Sequence, residues 1–274
     1  MPVLRRNFLK FASIILPVAA LEKSAMTLAF ADTNGPALPI SDLFPTQPHE
    51  LVREMVLVSH FDLKRVKELV EAKPALAKAA WDWGFGDWES AVGAASHMGN
   101  RPIAEYLLSK GACPSIFSAA MLGQLDVVKA FIAAQPGVQR TRGPHGIPLL
   151  AHARAGGETA RPVFEYLQSL GDAGADPLIP LADADVQRIT GTYIFGAGAN
   201  QQIEVTADRG QLGQLTWTRQ GTTGRGLVHL GDRTFYPIGA PAVRIRFVEE
   251  NDGVTMTIHD PDVVLSARRK SPSK

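Results

Sequence analysis

The side chains that could carry out chemistry in this sequence are seven histidines, one cysteine and scattered serines and carboxylates. The sequence contains no Gly-x-Ser-x-Gly elbow, no His-Glu-x-x-His helix and no phosphate-binding loop. His145 and His152 are close along the chain, but His145 falls on a predicted loop and His152 on a helix predicted to be buried. A buried histidine of this kind is usually structural. We therefore expect no catalytic residue, no metal ligand and no cofactor.

A cluster of aromatic residues is the strongest candidate for binding. Trp81, Trp83, Phe85 and Trp88 lie on one glycine-interrupted segment and include three of the four tryptophans. Tryptophan dominates binding hot spots, so we assign these four residues to a partner-binding surface and expect Trp83 and Phe85 to be free at the tip. In the alternative interpretation, the tryptophans pack back onto the helices as core.

A second loop, residues 136–146, carries the other candidate binding residues, Arg140, Arg142 and His145. In the alternative interpretation they form an ordinary solvated polar loop.

Cys113 is the only cysteine, so an intramolecular disulfide is excluded, and its position beside Gly111 and Pro114 is typical of a helix boundary.

The elements that position these residues form a repeat. Residues 90–112 and 117–132 each read as a short Ala-rich helix, a glycine turn and a longer aliphatic helix. Residues 161–167 nearly copy residues 101–107, and equivalent positions of the second helices define four units: Val66, Ala104, Val128 and Phe164. This pattern resembles the ankyrin repeat, whose helix pairs must stack to bury their apolar faces and bind partners through their loops.

The loops between these units differ in length. Only residues 112–116 separate the second unit from the third, so we expect the β-hairpin finger to be missing there. The fingers at residues 74–88 and 136–146 are longer. By resemblance to ankyrin proteins, these two loops are where a partner would bind.

The C-terminal part changes from helical to alternating periodicity. Eight short strands are predicted between residues 191 and 267, which favours a closed meander barrel. The segment 182–269 resembles the small lipocalin-like domain that follows many penicillin-binding-protein-like hydrolases. We expect the barrel to be filled by its own side chains rather than by a ligand, namely by Trp217, Phe235, Tyr236, Phe247, Met256 and Ile258.

The N-terminus resembles a twin-arginine export signal. Arg5 and Arg6 are followed by Phe8, Leu9 and Lys10, then by an apolar stretch and by small residues before Asp32. The resemblance implies cleavage after residue 31 and a periplasmic protein; a retained anchor is the alternative.

Removing residues 1–31 changes the formal net charge from +1 to −2. This near-neutral balance argues against nucleic-acid binding.

Together these features predict an α + β multidomain protein: a signal peptide (1–31), a linker (32–49), an ankyrin-repeat domain (50–177) and a small antiparallel β-barrel (178–270). We expect an exported, non-enzymatic adaptor that binds a protein partner, with no nucleic acid and no membrane bound after signal cleavage. The alternative is a small-molecule sensor or carrier with an apolar ligand in the barrel, and a hydrolase accessory is a third possibility. The sequence leaves the oligomeric state open.

Overall fold

The computed structural model describes residues 42–207, 215–250 and 253–270. Its architecture is mixed α + β, with helices in the N-terminal half and a closed antiparallel β-barrel in the C-terminal half. The helices and the barrel belong to one compact unit that begins at Leu43. The proposed signal peptide and the linker up to residue 41 lie outside the described residues. No helix in the described part of the chain is long and apolar enough to cross a lipid bilayer.

Eight of the helices form four consecutive hairpins: α1 (His49–Val58) with α2 (Leu63–Ala72), α3 (Ala91–His97) with α4 (Arg101–Ser109), α5 (Ile116–Met121) with α6 (Leu125–Ala134), and α7 (Leu149–Ala155) with α8 (Arg161–Leu170). Short polar side chains cap several of their N-termini. Asp62, Ser90 and Asn100 each accept a hydrogen bond from a backbone N–H of the first turn.

The first helices of successive hairpins pack against one another, in the order α1, α3, α5 and α7. Close approach is possible because their facing positions are small. Ala94, Ala95, Ala119, Ala120 and Ala153 are all almost completely buried. Longer side chains of the second helices, among them Ile103, Leu107 and Leu167, complete the apolar cores beside this row.

Two loops project from the same end of the first helices. One carries the short antiparallel strands β1 (Ala80–Asp82) and β2 (Trp88–Ser90). The other contains a 3-10 turn at Pro144–Gly146. Residues 110–115, between α4 and α5, form neither strand nor helix, as expected for a missing finger. As a result, the 3-10 turn packs directly against β2.

The C-terminal strands confirm the predicted barrel. They are β3 (Gly191–Ile194), β4 (Gln202–Thr206), β5 (Leu215–Arg219), β6 (Arg225–Gly231), β7 (Thr234–Pro237), β8 (Arg244–Glu250), β9 (Gly253–His259) and β10 (Val263–Arg269). Each strand pairs with the next along the chain, and β10 closes onto β3. In β8 and β9, buried and solvent-facing residues alternate, as the pleat of a strand requires.

Side chains of the barrel pack on one another in its interior. The core includes Tyr193, Phe235, Phe247, Met256 and Ile258. Trp217 is also buried there, whereas Tyr236 is only partly buried and lies on the opposite face of β7 from Phe235, because neighbouring residues of a strand point to opposite faces. The prediction that Tyr236 helps to fill the barrel was therefore wrong.

Helix α9 (Asp183–Ile189) leads into β3, and its Ile189 carbonyl accepts a hydrogen bond from the Tyr193 hydroxyl.

The stacking of the hairpins predicts unequal costs for two glycine substitutions. Gly123 and Gly157 both have a left-handed backbone, with φ of +75° and +64°. A Cβ added at Gly123 would lie 2.3 Å from the carbonyl oxygen of Thr159, whereas one added at Gly157 meets nothing within 4 Å. Gly157→Ala is expected to destabilise by about 1 kcal/mol through backbone strain. Gly123→Ala should cost about 1–3 kcal/mol more, because backbone must move. Urea unfolding of both variants measures the difference; equal losses would contradict the packing.

Candidate functional site

Four side chains from separate segments converge where the helical hairpins meet the barrel. His60 follows α1, Glu89 is the middle residue of β2, His97 ends α3, and His145 lies in the 3-10 turn of the second loop. One ligand atom from each residue lies within 4.8 Å of the corresponding atom of every other. We call these four residues the His/Glu cluster. Their residue types and spacing are those of a candidate metal centre.

Glu89 stands at the centre of the cluster and its side chain is completely buried. Its Oε1 atom lies 2.9 Å from Nε2 of His97. Its Oε2 atom lies 3.5 Å from Nε2 of His60 and 3.4 Å from Nε2 of His145. The indole N–H of Trp83 donates to the same Oε2 atom at 2.7 Å. Three imidazoles therefore present the same ring nitrogen to one buried carboxylate.

The outer nitrogens of two of these imidazoles are held by fixed acceptors. Nδ1 of His60 lies 2.9 Å from the carbonyl oxygen of Leu57. Nδ1 of His145 lies 2.8 Å from Oδ2 of Asp87. Because a carbonyl and an ionised carboxylate can only accept, each Nδ1 must carry a hydrogen. The Nε2 atoms of His60 and His145 therefore offer a lone pair to the cluster whenever these rings are neutral.

Asp87 joins the two loops to the barrel. Its Oδ1 atom accepts the backbone N–H of His145 at 2.9 Å, and its Oδ2 atom accepts a guanidinium N–H of Arg225 at 2.6 Å. Arg225 is the first residue of β6, and it also donates to the carbonyl of Ile238. A Cβ added at Gly239 would lie 2.4 Å from the Asp87 carboxyl carbon, so only glycine permits this close approach. Asp87 and Arg225 are almost fully buried.

The backbone at this junction is strained at two non-glycine residues. His145 and Phe85 have φ values of 57° and 60°. A left-handed backbone is unfavourable for residues with a Cβ and persists only where surrounding contacts hold it. For His145 those contacts are the two hydrogen bonds to Asp87, one from the backbone and one from the ring. For Phe85 the ring packs on Trp217 of the barrel, with centroids 5.6 Å apart.

The buried charges of the cluster shift several pKa values. Burial raises the pKa of Glu89, but hydrogen bonds from His145 and His97 outweigh it and lower the value to about 2. Burial lowers the pKa of His145, but Asp87 and Glu89 outweigh it and raise the value to about 9. For His60, burial dominates and the pKa falls. Without any bound ion, therefore, Glu89 is ionised and His145 carries the compensating proton at neutral pH.

A fifth buried group, His152, lies next to the cluster without joining it. Its Nδ1 atom is 2.9 Å from the hydroxyl oxygen of Ser96, and its Nε2 atom has no hydrogen-bonding partner among the described residues. The ring is fully buried against Phe117. Burial, and then the nearby His97, lower the pKa of His152 to about 3. The sequence-based expectation that His152 is buried is confirmed.

A cleft of about 470 Å³ opens beside the cluster, between the helical hairpins and the barrel. His60 and His145 belong both to the cluster and to the wall of the cleft. The other residues that line it are Leu57, Phe61, Trp83, Met98, Thr223, Gly224, Arg225, Gly226 and Ile238. A ligand in this cleft would lie against two of the four cluster residues.

The aromatic residues expected to form a partner-binding surface occupy different environments. Trp81 and Trp83 are partly buried against the first helical core. Phe85 packs against the barrel core. The expectation that Trp83 and Phe85 are free at the tip was therefore wrong: one is tied to Glu89 and the other is covered by the barrel. Only Trp88 of the four is exposed, by 65%.

The three polar residues expected to act with them are also separated. Arg140 forms an ion pair with Asp172, at 3.1 Å. Arg142 forms one with Asp176, at 2.7 Å, and donates to the carbonyl of Gly174. Both arginines tie the second loop to the segment after α8, whereas His145 turns inwards to the cluster.

Sequence reasoning missed His60, Asp87, Glu89, His97 and Arg225. The cluster has no characteristic spacing because its members come from four segments between residues 60 and 145. One usable signal was present: His60 and His97 both lie at the C-terminal ends of first helices in consecutive units. Stacked units place such positions side by side. Nothing along the chain indicated that His145 of a later loop would join them.

Comparison with known proteins identifies no family for this chain. No protein-family model matches its sequence, and the search of curated proteins finds no significant match.

The buried ion pair at the junction predicts a large effect for Arg225→Met. This change leaves the Asp87 carboxylate buried with one charged partner fewer and should reduce the free energy of unfolding by about 3 kcal/mol. Arg140→Met is the matched control, since the Arg140–Asp172 pair has both side chains substantially exposed and should contribute less than about 1 kcal/mol. Urea unfolding measures both variants. A loss at Arg225 no larger than that at Arg140 would contradict the role of Asp87.

His152 predicts a distinct pH dependence of stability. The pKa of His152 is lowered to about 3 in the folded state, so folding favours the neutral ring. Above the unfolded-state pKa of about 6.5 the ring is neutral in both states, and His152 makes its full contribution to stability. That contribution is lost as the pH falls, by about 1.4 kcal/mol per pH unit. His152→Asn keeps a hydrogen-bonding atom for Ser96 but does not titrate. The free energy of unfolding should therefore decrease less between about pH 7 and about pH 5 in the variant than in the unchanged protein. Identical decreases would refute the lowered pKa of His152.

Proposed function

We propose that this protein binds one divalent transition-metal ion through His60, Glu89, His97 and His145, at the floor of the cleft between its helices and its barrel. The observation that carries the proposal is the convergence of three imidazole nitrogens and one carboxylate oxygen within 4.8 Å of one another. These four groups come from separate segments, so their meeting is a property of the folded chain.

The spacing of the ligand atoms suits a small ion. A tetrahedral ion with ligands at ~2.1 Å requires ligand atoms roughly 3.4 Å apart. The nitrogens of His60 and His145 lie 3.5 and 3.4 Å from Oε2 of Glu89. The His97 nitrogen is 2.9 Å from Oε1. No two of the four ligand atoms are more than 4.8 Å apart, so side-chain movements that shorten the wider separations would complete the arrangement.

The surroundings of the ligands also support metal binding. Histidine ligands in metal sites usually donate their other ring N–H to a carboxylate or a carbonyl, which fixes the ring and the lone pair. His145 makes this contact with Asp87, and His60 makes it with Leu57. The neutral His60 ring turns a lone pair towards the negative Glu89 carboxylate, and a cation between those atoms removes this repulsion. For His145, a bound cation would replace the proton that the ring carries without an ion.

The donor set indicates the class of ion. Imidazole nitrogen suits zinc, copper, iron, cobalt and nickel, whereas magnesium and calcium prefer sites made entirely of oxygen. Three imidazoles with one carboxylate therefore favour an ion of the zinc type. The metal-free alternative is a purely structural network in which Trp83, His97 and a protonated His145 satisfy Glu89.

Titration of the metal-free full-length protein with Zn²⁺ against a chromophoric chelator tests the proposal. The expected result is one ion per chain, with affinity reduced at least about 100-fold by Glu89→Gln, which keeps the shape of the side chain but removes the charge. Asp87→Asn should weaken binding by about 10–100-fold, since Asp87 is not a ligand and contacts the site through the His145 ring. Circular dichroism establishes that each variant is folded.

Two further variants make the outcome decisive. His60→Gln changes a ligand at a half-buried helix end and should also lose affinity. His259→Gln, on strand β9 of the barrel, should bind like the unchanged protein. No stoichiometric uptake, or equal affinity in all variants, would leave the structural network as the explanation of the cluster.

The finer features of the architecture are part of the same proposal. We propose that the four helical hairpins are ankyrin-type units and that the barrel is of the lipocalin-like kind. Support comes from the stacked first helices and from the closed eight-stranded meander. The arginine pair and apolar stretch of the N-terminus support export to the periplasm through a cleaved signal.

Binding of a protein partner is a second candidate function. One observation favours it: Trp88 is exposed by 65% on the β1–β2 hairpin and belongs to none of the three apolar cores of the described residues. Such a surface would differ from the one expected from the sequence, because Trp83 and Phe85 contribute to the junction with the barrel. The adaptor proposal therefore depends on Trp88 and its immediate surroundings.

A further inference from the structure

The walls of the cleft beside the His/Glu cluster are largely apolar. Five of its lining side chains are apolar and come from the hairpins, from the first loop and from the barrel: Leu57, Phe61, Trp83, Met98 and Ile238. Phe61 is exposed by 64% and Met98 by 55%. Exposed apolar surface that is gathered around a concavity marks a binding site more often than a free surface.

Three of the four polar side chains that line the cleft belong to its metal-facing end. His60 and His145 are cluster residues and Arg225 is joined to His145 through Asp87, and none of the described lining residues is acidic. A pocket with apolar walls and a few convergent polar groups orients a ligand that is itself divided into an apolar body and one polar group.

The net charge at the metal-facing end of the cleft determines whether the polar group of the ligand should be anionic or cationic. With a divalent ion bound, the charges are the ion and Arg225 on one side and the carboxylates of Glu89 and Asp87 on the other. The ion's double charge leaves one positive charge uncompensated. A monoanion complements this charge, and its carboxylate oxygen would be a fifth ligand beside the four protein groups, a coordination number to which zinc-type ions can expand.

We propose that the cleft binds a small amphipathic carboxylate whose anionic group contacts the metal and whose hydrocarbon part lies against Phe61, Met98 and Ile238. This inference rests on the proposed metal site. It places the ligand outside the barrel, whose interior is occupied by the packed side chains around Phe235 and Met256. The helices, the first loop and the barrel all contribute to its recognition.

The size of the cleft fits this class of ligand. Its volume of about 470 Å³ lies within the range of about 300–1,000 Å³ that is usual for sites of small organic molecules. Each buried methylene of the ligand should tighten binding about threefold to fourfold. Affinity should therefore rise with chain length until the cleft is filled.

Cobalt-loaded full-length protein tests the inference, because the visible spectrum of Co²⁺ reports a change in its ligands. Acetate, hexanoate and decanoate are the probes, and decanol is the control that lacks the anionic group. The expected result is a saturable spectral shift with each carboxylate, at concentrations that fall along the series, and no shift with decanol. Phe61→Ala should weaken decanoate binding several-fold without changing Co²⁺ affinity.

Phe131→Ala is the matched control, since Phe131 is also an exposed phenylalanine, by 43%, lies on α6 and does not line the cleft. It should leave decanoate binding unchanged. A cobalt spectrum that no carboxylate alters, or that acetate alters as readily as decanoate, would overturn the ligand class and leave the metal site standing. Failure of Co²⁺ to bind at all would overturn both.

Discussion

The buried carboxylate of Asp87 holds the junction of this protein together. It accepts hydrogen bonds from the backbone and the ring of His145 and from the guanidinium of Arg225. These groups belong to the second loop and to the barrel, while Asp87 itself belongs to the first loop. A buried carboxylate is costly unless such partners surround it. Asp87 therefore links both loops to the barrel, beside the packing of Phe85 on Trp217.

A gap in the array of loops allows this contact. Because residues 110–115 form no finger, the loop that carries His145 reaches β2 without an intervening hairpin. The ring of His145 then lies between Asp87 and Glu89, two residues apart on the same strand segment. A hairpin formed by the segment before α5 would stand between these two loops. The irregularity of the repeat is thus the structural basis of the cluster.

The sequence was a good guide to the elements and a poor guide to the site. The barrel was predictable because alternation and glycine turns recur at short range, and the helices because Pro102 and Pro162 open near-identical segments. The error about Phe85 has a physical cause. An aromatic residue between two glycines looks free when only its own loop is considered, and its partner Trp217 lies far along the chain. Glu89 could not be recognised from the sequence for the same reason, because its place in a site depends on three histidines from other segments.

The negative charge of Glu89 can be compensated in two ways, and both use the same contacts. Without an ion, Glu89 is neutralised by the proton on His145, and Asp87 stabilises that protonated ring from the other side. In the proposed metal-bound state the ion takes the place of this proton, and Asp87 holds the neutral ring with its lone pair directed at the ion. Arg225 compensates the charge of Asp87 in either case. The link between helices and barrel therefore does not require the metal, whereas the orientation of the metal ligands does require that link.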